Sequence, residues 1–428
     1  MVDLAPEADK ASFPLAEHPR LRPIEIFPIQ DRGRRSLVLR DPADPKISPI
    51  AVSDGAADVL MLLDGQRTLT ELSNALLLRG ASITQSQLHS FLSRLDEGGF
   101  LEGPRAQYRF EQRRAAFKAQ PVRPAVHAGG AYPDGLDELP RMLAAAHLDP
   151  DGPGALPTAR ANAEATPLRA VIAPHVDLHR GAPTYSWAYK ALAEASPADL
   201  YVVLGTCHTP VAGHFAATSK AYATPLGPVP ADAEFLARLG KKWGRDLFAG
   251  EFSHAGEHSI EFQAVYLRWL RLGGEDTAPI VPILCDSLHS LVPHGQSPRD
   301  VPLVADFLSA LSESLEEDGR RITLITAVDL AHVGPRFGDR WRVDQPHQDS
   351  VGRADQEMLD LILEPDAEAY YAQVMRDHDA RRICGLTPIY LLTALMQSEQ
   401  RQGDLLRYTQ WVDTDLSSSV TFASAVFA

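Results

Sequence analysis

Cysteine is scarce in this sequence. Cys207, Cys285 and Cys384 are the three in 428 residues, an odd number with no CxxC pair, so a disulfide framework is excluded and a reducing cytoplasm is expected. Basic charge is in deficit too. Against 56 Asp and Glu stand 41 Lys and Arg, a net charge of −15, which argues against the positive surface needed to grip nucleic acid or an anionic membrane. No apolar run approaches the ~18 residues that span a bilayer. The first twenty residues lack a basic stretch followed by an apolar one, so no secretory signal is expected. No repeat of fixed period is seen. What is present is an ordinary globular composition, 45% hydrophobic and 23% charged, in a chain long enough for two domains at about 150 residues each.

Residues 1–30 are rich in proline and charge, without periodicity, and read as an irregular tail. From Ser36 the pattern changes. "SLVLR" and "ISPIAVS" look like short strands, and residues 54–63 place Ala57, Leu60 and Met61 as a helix would. Thr68 with Glu71 forms a capping-box start, and Gly80 supplies a stop. A third helix opens at Thr84 with Gln87 and sets Leu88, Phe91, Leu92 and Leu95 on one face. "GGFLEG" reads as a closing strand. Residues 31–105 thus describe a small winged-helix-like α+β domain.

The string from "SDGAADVLMLLDGQRTLTEL" to "EGGFLE" resembles the PqqD-like family, small winged-helix modules that recognise peptides in modification pathways; the likeness spans about residues 35–103. The third helix offers Arg94 against Asp96 and Glu97, so the basic stripe of a DNA reader is missing. Docking of a peptide or a partner enzyme is the expectation, with a spacer that binds nothing as the other reading. Residues 106–125, basic and marked by prolines, read as a linker, and 149–167 as a surface loop.

From residue 126 onward the chain is read as one α/β domain around a mixed sheet. Strand-like runs fall at 168–173, 199–204, 279–285 and 321–328. Helical runs fall at 182–195, 231–243, 261–272, 301–316, 348–363 and 387–398, and two strands end the sequence.

Three histidines stand just past apolar strand-like runs: His175 after "LRAVIAP", His208 after "LYVVLGTC" and His332 after "RITLITAVDLA". In alternating strand–helix chains the carboxyl ends of parallel strands converge on a ligand-binding crevice. Imidazole is the commonest metal ligand and titrates near neutrality, so the repetition suggests a metal or acid–base site. Each position alone could be an ordinary polar loop residue. In "GEHSIEF", His258 and Glu261 lie three apart at a helix start, either converging on one face or acting as a cap and ion pair. Asp329 precedes His332 and could fix its tautomer. Cys384, between Arg382 and a helix start, is placed to favour the thiolate, or it is a buried structural cysteine.

These segments, "HAGGAYP", "APH" at 173–175, "LG…H" at 204–208, "EHSIE" at 257–261, "D…H…G" at 329–334 and "CG…P" at 384–388, resemble in order the Memo family, also called AmmeMemoRadiSam system protein B. That family's fold is similar to the class III extradiol ring-cleaving dioxygenases. The resemblance implies a redox metal, iron or copper, held by His175, His208 and Cys384. It implies His332 as acid/base, with Asp329, His258 and Glu261 supporting catalysis. Val176, Asp177 and Leu178 stand where the family commonly has Ala-Gly-Tyr, and His208-Thr209 replaces a paired His-His. The expectation is a metal-dependent redox or dioxygenase-like protein acting on a small molecule or peptide. A non-enzymatic metal- or peptide-binding adaptor is the alternative.

Overall fold

The computed structural model describes residues 13–31, 34–41, 47–81, 83–158, 166–271, 277–413 and 417–428. Residues 1–12 of the expected tail and 159–165 of the expected surface loop lie outside them. The chain divides into two units, Met1–Gln120 and Pro121–Ala428.

In the first unit, β1 (Glu25–Asp31), β2 (Arg34–Arg40) and β3 (Ile50–Ser53) pair antiparallel in that order. Four helices follow: α1 (Ala57–Leu62), α2 (Leu69–Leu78), α3 (Gln85–Glu97) and α4 (Pro104–Ala119). Both capping boxes form. Thr68 accepts from the Glu71 N–H and Glu71 from the Thr68 N–H, and Thr84 with Gln87 repeats the exchange, caps that contribute about 1 kcal/mol each. Gly80 takes φ +81° just past α2, the left-handed position at which helices stop. Leu72, Leu76, Leu88, Leu92 and Leu95 are fully buried against Leu39 and Phe100.

Three expectations need correction here. Residues 25–31 are a strand, not part of an irregular tail; Pro28 is accommodated because β1 is an edge strand. Residues 104–119 are helical, where a linker was expected. Pro104 opens that helix in its first turn, where a missing N–H does no harm. The closing strand shrinks to a single bridge between Leu101 and Leu21.

The second unit runs β4 (Val122–Arg123), α5 (Glu138–Leu148), β5 (Ala170–Ala173), α6 (Leu178–Glu194), β6 (Leu200–Thr206), β7 (Phe215–Ala217), β8 (Ala221–Tyr222), α7 (Ala233–Trp243), α8 (Ser259–Trp269), β9 (Ile280–Cys285) and α9 (Leu288–Leu291). It continues with α10 (Pro302–Glu317), β10 (Ile322–Ala327), β11 (His332–Val333), α11 (Gln345–Leu363), α12 (Ala367–Met375), α13 (Leu386–Ser398), β12 (Gly403–Asp413) and β13 (Ser418–Phe427). The architecture is mixed α/β. Its eight-stranded sheet has the order β11-β13-β5-β10-β6-β9-β7, with β12 on β13.

The central strands β5, β10, β6 and β9 pair parallel. All their residues are buried, as expected of strands covered on both faces. Alternation along them builds two cores. Ile172, Val202 and Leu204 face α7, α10 and α13; Val171, Ala173 and Val203 face α5, α6 and α8. No helix among the described residues is long and apolar enough to cross a membrane.

Candidate metal centre

Three neighbouring parallel strands deliver the site. β5 ends two residues before His175, β10 two before Asp329 and β6 two before His208, with β10 between the other two. The fourth contributor is the entrance of α8, which carries Glu257 and His258. Gly205, in β6, lets this entrance approach closely. A Cβ there would lie 2.6 Å from both Ser259 Oγ and Ile260 Cγ1.

His175, His208 and His258 converge, with one ring nitrogen from each within 4.8 Å of the others. Their ring centroids are 4.8–5.3 Å apart. His175 is buried, His258 half-buried and His208 exposed, so the cluster opens to solvent on the His208 side.

The Nδ1 atoms of all three are already engaged by acceptors. His175 Nδ1 donates to the Ala327 carbonyl at 3.0 Å and His208 Nδ1 to Glu257 Oε1 at 3.1 Å, while His258 Nδ1 lies 3.1 Å from the same carboxylate oxygen as an ion-pair contact. Since a carbonyl or carboxylate can only accept, the Nδ1 atoms of His175 and His208 carry the proton and their Nε2 atoms keep a lone pair. This is how outer partners orient imidazoles toward a metal.

Glu257, which the sequence reading missed, is the hub. Its buried carboxylate also accepts from the backbone N–H groups of His208, His258 and Ser259. Burial opposes its ionisation, yet the two imidazoles hold the carboxyl well below its ordinary range. In return Glu257 holds His208 above its usual value despite the opposing burial. The available signal was the pair of carboxylates flanking "HSI": one of them had to meet the histidine.

The other one does not. Glu261 is fully buried and turns away from the histidines, accepting from Arg123, the Tyr132 hydroxyl and the His127 N–H. A buried carboxylate needs a compensating cation, and Arg123 supplies it. Arg123 also donates to the His254 and Glu257 carbonyls, at 2.8 and 2.6 Å. Glu261 therefore braces the loop that presents Glu257.

Cys384 Sγ lies 3.3 Å from His175 Nε2 and 3.6 Å from the Asp329 carbonyl. Burial pushes the thiol well above its ordinary pKa, so the protein alone keeps it protonated. Gly385 fixes this approach, since a Cβ there would lie 2.6 Å from Val328 Cβ and 2.8 Å from the Asp329 carbonyl oxygen.

Asp329 is also placed differently from the expectation. Its Oδ1 accepts from the backbone N–H of His175 and Val176 at 2.9 and 3.2 Å, so it positions the His175 loop. His332 Nδ1 instead sits 3.2 Å from the Leu330 and Arg382 carbonyls, which again leaves Nε2 free. Burial lowers the His332 pKa, with Asp329 opposing.

The family profile described as Memo-like protein matches residues 123–426. The chain belongs to the Memo family. A MEMO1 family protein of Aquifex aeolicus is 27% identical over 406 residues, covering 94% of this chain and 99% of that protein. One from Methanopyrus kandleri is 32% identical over 311 residues, 71% of this chain and 98% of that protein. A third, from Thermus thermophilus, is 27% identical over 357 residues, or 83% and 97%. The Aquifex match is long enough to take in much of the first unit as well. The convergent histidines lie inside the Memo-like region.

Proposed function

We propose that this Memo-family protein is a metal-dependent redox protein, with His175, His208 and the Cys384 thiolate holding iron or copper and His258 beside them. The reading is carried by three imidazoles whose ring nitrogens meet at one place, with a thiol 3.3 Å from His175 Nε2. Around a tetrahedral ion, imidazole at about 2.1 Å and thiolate at about 2.3 Å stand about 3.6 Å apart, close to that spacing. Imidazole with a soft thiolate suits copper or iron better than a hard cation. Coordination also offsets the burial that keeps the free thiol protonated.

When bound, such a metal supplies electron transfer and a positive centre for substrate. The chain's own groups do the rest. Glu257 fixes two rings, Asp329 fixes the His175 loop, and the free Nε2 of His332 accepts or returns a proton. In this reading the protein is cytoplasmic and acts on a small molecule or peptide. The PqqD-like unit, residues 31–105, docks a peptide or partner enzyme; the exposed Met61, Leu77 and Leu78 favour this.

The test is metal analysis of the full chain purified without added metal and after anaerobic reconstitution. Stoichiometric iron or copper is expected in the parent and in His258→Ala, and its loss in His175→Ala and Cys384→Ser. Retention in Cys384→Ser with loss in His258→Ala would make the third ligand an imidazole. Failure of the parent to take up either metal would sink the reading. Oxygen uptake with catechol and thiol substrates then separates a redox enzyme from a metal-binding adaptor.

A further inference from the structure

We infer a second ligand site at the amino edge of the same sheet, opposite the histidines, shaped for a small organic acid with an apolar body. A cavity of about 380 Å³ lies where α6 and α8 end and β6 and β9 begin. That volume falls within the range of small-molecule sites, which are mostly apolar with a few polar groups to orient the ligand. Leu192, Leu267 and Trp269 supply apolar wall. The Trp269 ring is backed by the buried His147 ring at 4.8 Å between centroids, and His147 is itself tied to the Leu143 carbonyl at 2.8 Å. The wall is therefore braced.

Three side chains with hydrogen-bond donors share the lining, and one of them is buried without a partner. The Thr277 side chain is 5% exposed and its buried hydroxyl has no partner. Tyr201 is 6% exposed and lines the same cavity. Arg271 forms no ion pair there, and it lies near enough to Tyr201 to oppose the effect of burial on that phenol. Leaving a buried polar group such as the Thr277 hydroxyl unsatisfied costs about 1–3 kcal/mol, so a ligand offering acceptors at one end would gain from it and from the neighbouring guanidinium.

A single guanidinium beside two hydroxyls matches one carboxylate. The apolar wall matches an aromatic or short aliphatic body. Helix C-termini repel anions, but here Arg268 donates to the Arg271 carbonyl at 3.2 Å and Arg271 follows directly, so two cations offset the end of α8. The site uses none of the groups assigned to the metal centre.

Calorimetric titration of the full chain with indole-3-acetate and with octanoate tests the inference, with indole-3-acetamide as the neutral control. Saturable binding of at least one acid is expected. Arg271→Gln should weaken the acids about tenfold or more, as loss of a charge-assisted hydrogen bond does, and leave the amide unchanged. Ala193→Phe, which fills the cavity, should abolish binding while the thermal melt shows a folded chain. Absence of saturable binding by both acids overturns the site. So does undiminished binding in a folded Ala193→Phe, or equal affinity for acid and amide that Arg271→Gln leaves intact.

Discussion

At the carboxyl edge of the sheet, Glu257, Glu261 and Asp329 each accept from two or more donors, while at the amino edge the buried Thr277 hydroxyl has no partner. The same strands end in both places. The carboxyl edge holds its imidazoles in one orientation before any ligand arrives, so binding there loses little freedom. The amino edge is roomy and its buried Thr277 hydroxyl is unsatisfied. Preorganisation and vacancy are two different ways of being ready for a ligand.

The largest expected effect comes from breaking the brace at the carboxyl edge. Glu261→Ala leaves Arg123 buried without its counter-charge and should cost about 3–5 kcal/mol in a urea melt. A loss below about 1 kcal/mol would mean that the network is not what holds this edge.

Next is acid. His254 receives a hydrogen bond from the Tyr222 hydroxyl and donates to the Ala216 carbonyl, and burial pushes its pKa from 6.5 down to about 3. Between those values the unfolded chain holds a proton that the folded chain does not. Stability is therefore fully present above pH 6.5 and falls as pH drops toward 3, by about 2 kcal/mol at pH 5. Melting temperature followed against pH should show this slope, and it should flatten in His254→Gln. Burial also lowers His147, so the slope should shrink rather than vanish.

The smallest effect belongs to the amino edge. Thr277→Val removes a hydroxyl that has no partner and should change stability by less than about 1 kcal/mol, toward greater stability. A clear destabilisation would show that the hydroxyl is satisfied, and the contrast between the edges would narrow.

The long apolar strands and the two capping boxes were legible because their signals are local. A strand covered on both faces must be apolar throughout, and Thr68 and Thr84 need only a partner three residues away. The strand-end positions of His175 and His208 were legible for the same reason. The roles of the acids were not. Glu257 and Glu261 are both carboxylates in one short segment, and only tertiary contacts decide that the first meets imidazoles and the second Arg123, 138 residues away. That Asp329 accepts from the backbone N–H groups of His175 and Val176 was not legible, because such partners carry no sequence signature. The helix at 104–119 was hidden by its charge: it buries only Phe117, so no apolar stripe betrays it.

The distance between His175 and Cys384 is 3.3 Å in space and 209 residues along the chain. A ribosome releases the first of them long before the second, and β13, which pairs directly with β5, the strand that ends two residues before His175, follows later still. An ion that needs imidazole and thiol together therefore meets no finished site on a nascent chain. On the proposed reading, loading therefore belongs to the completed fold.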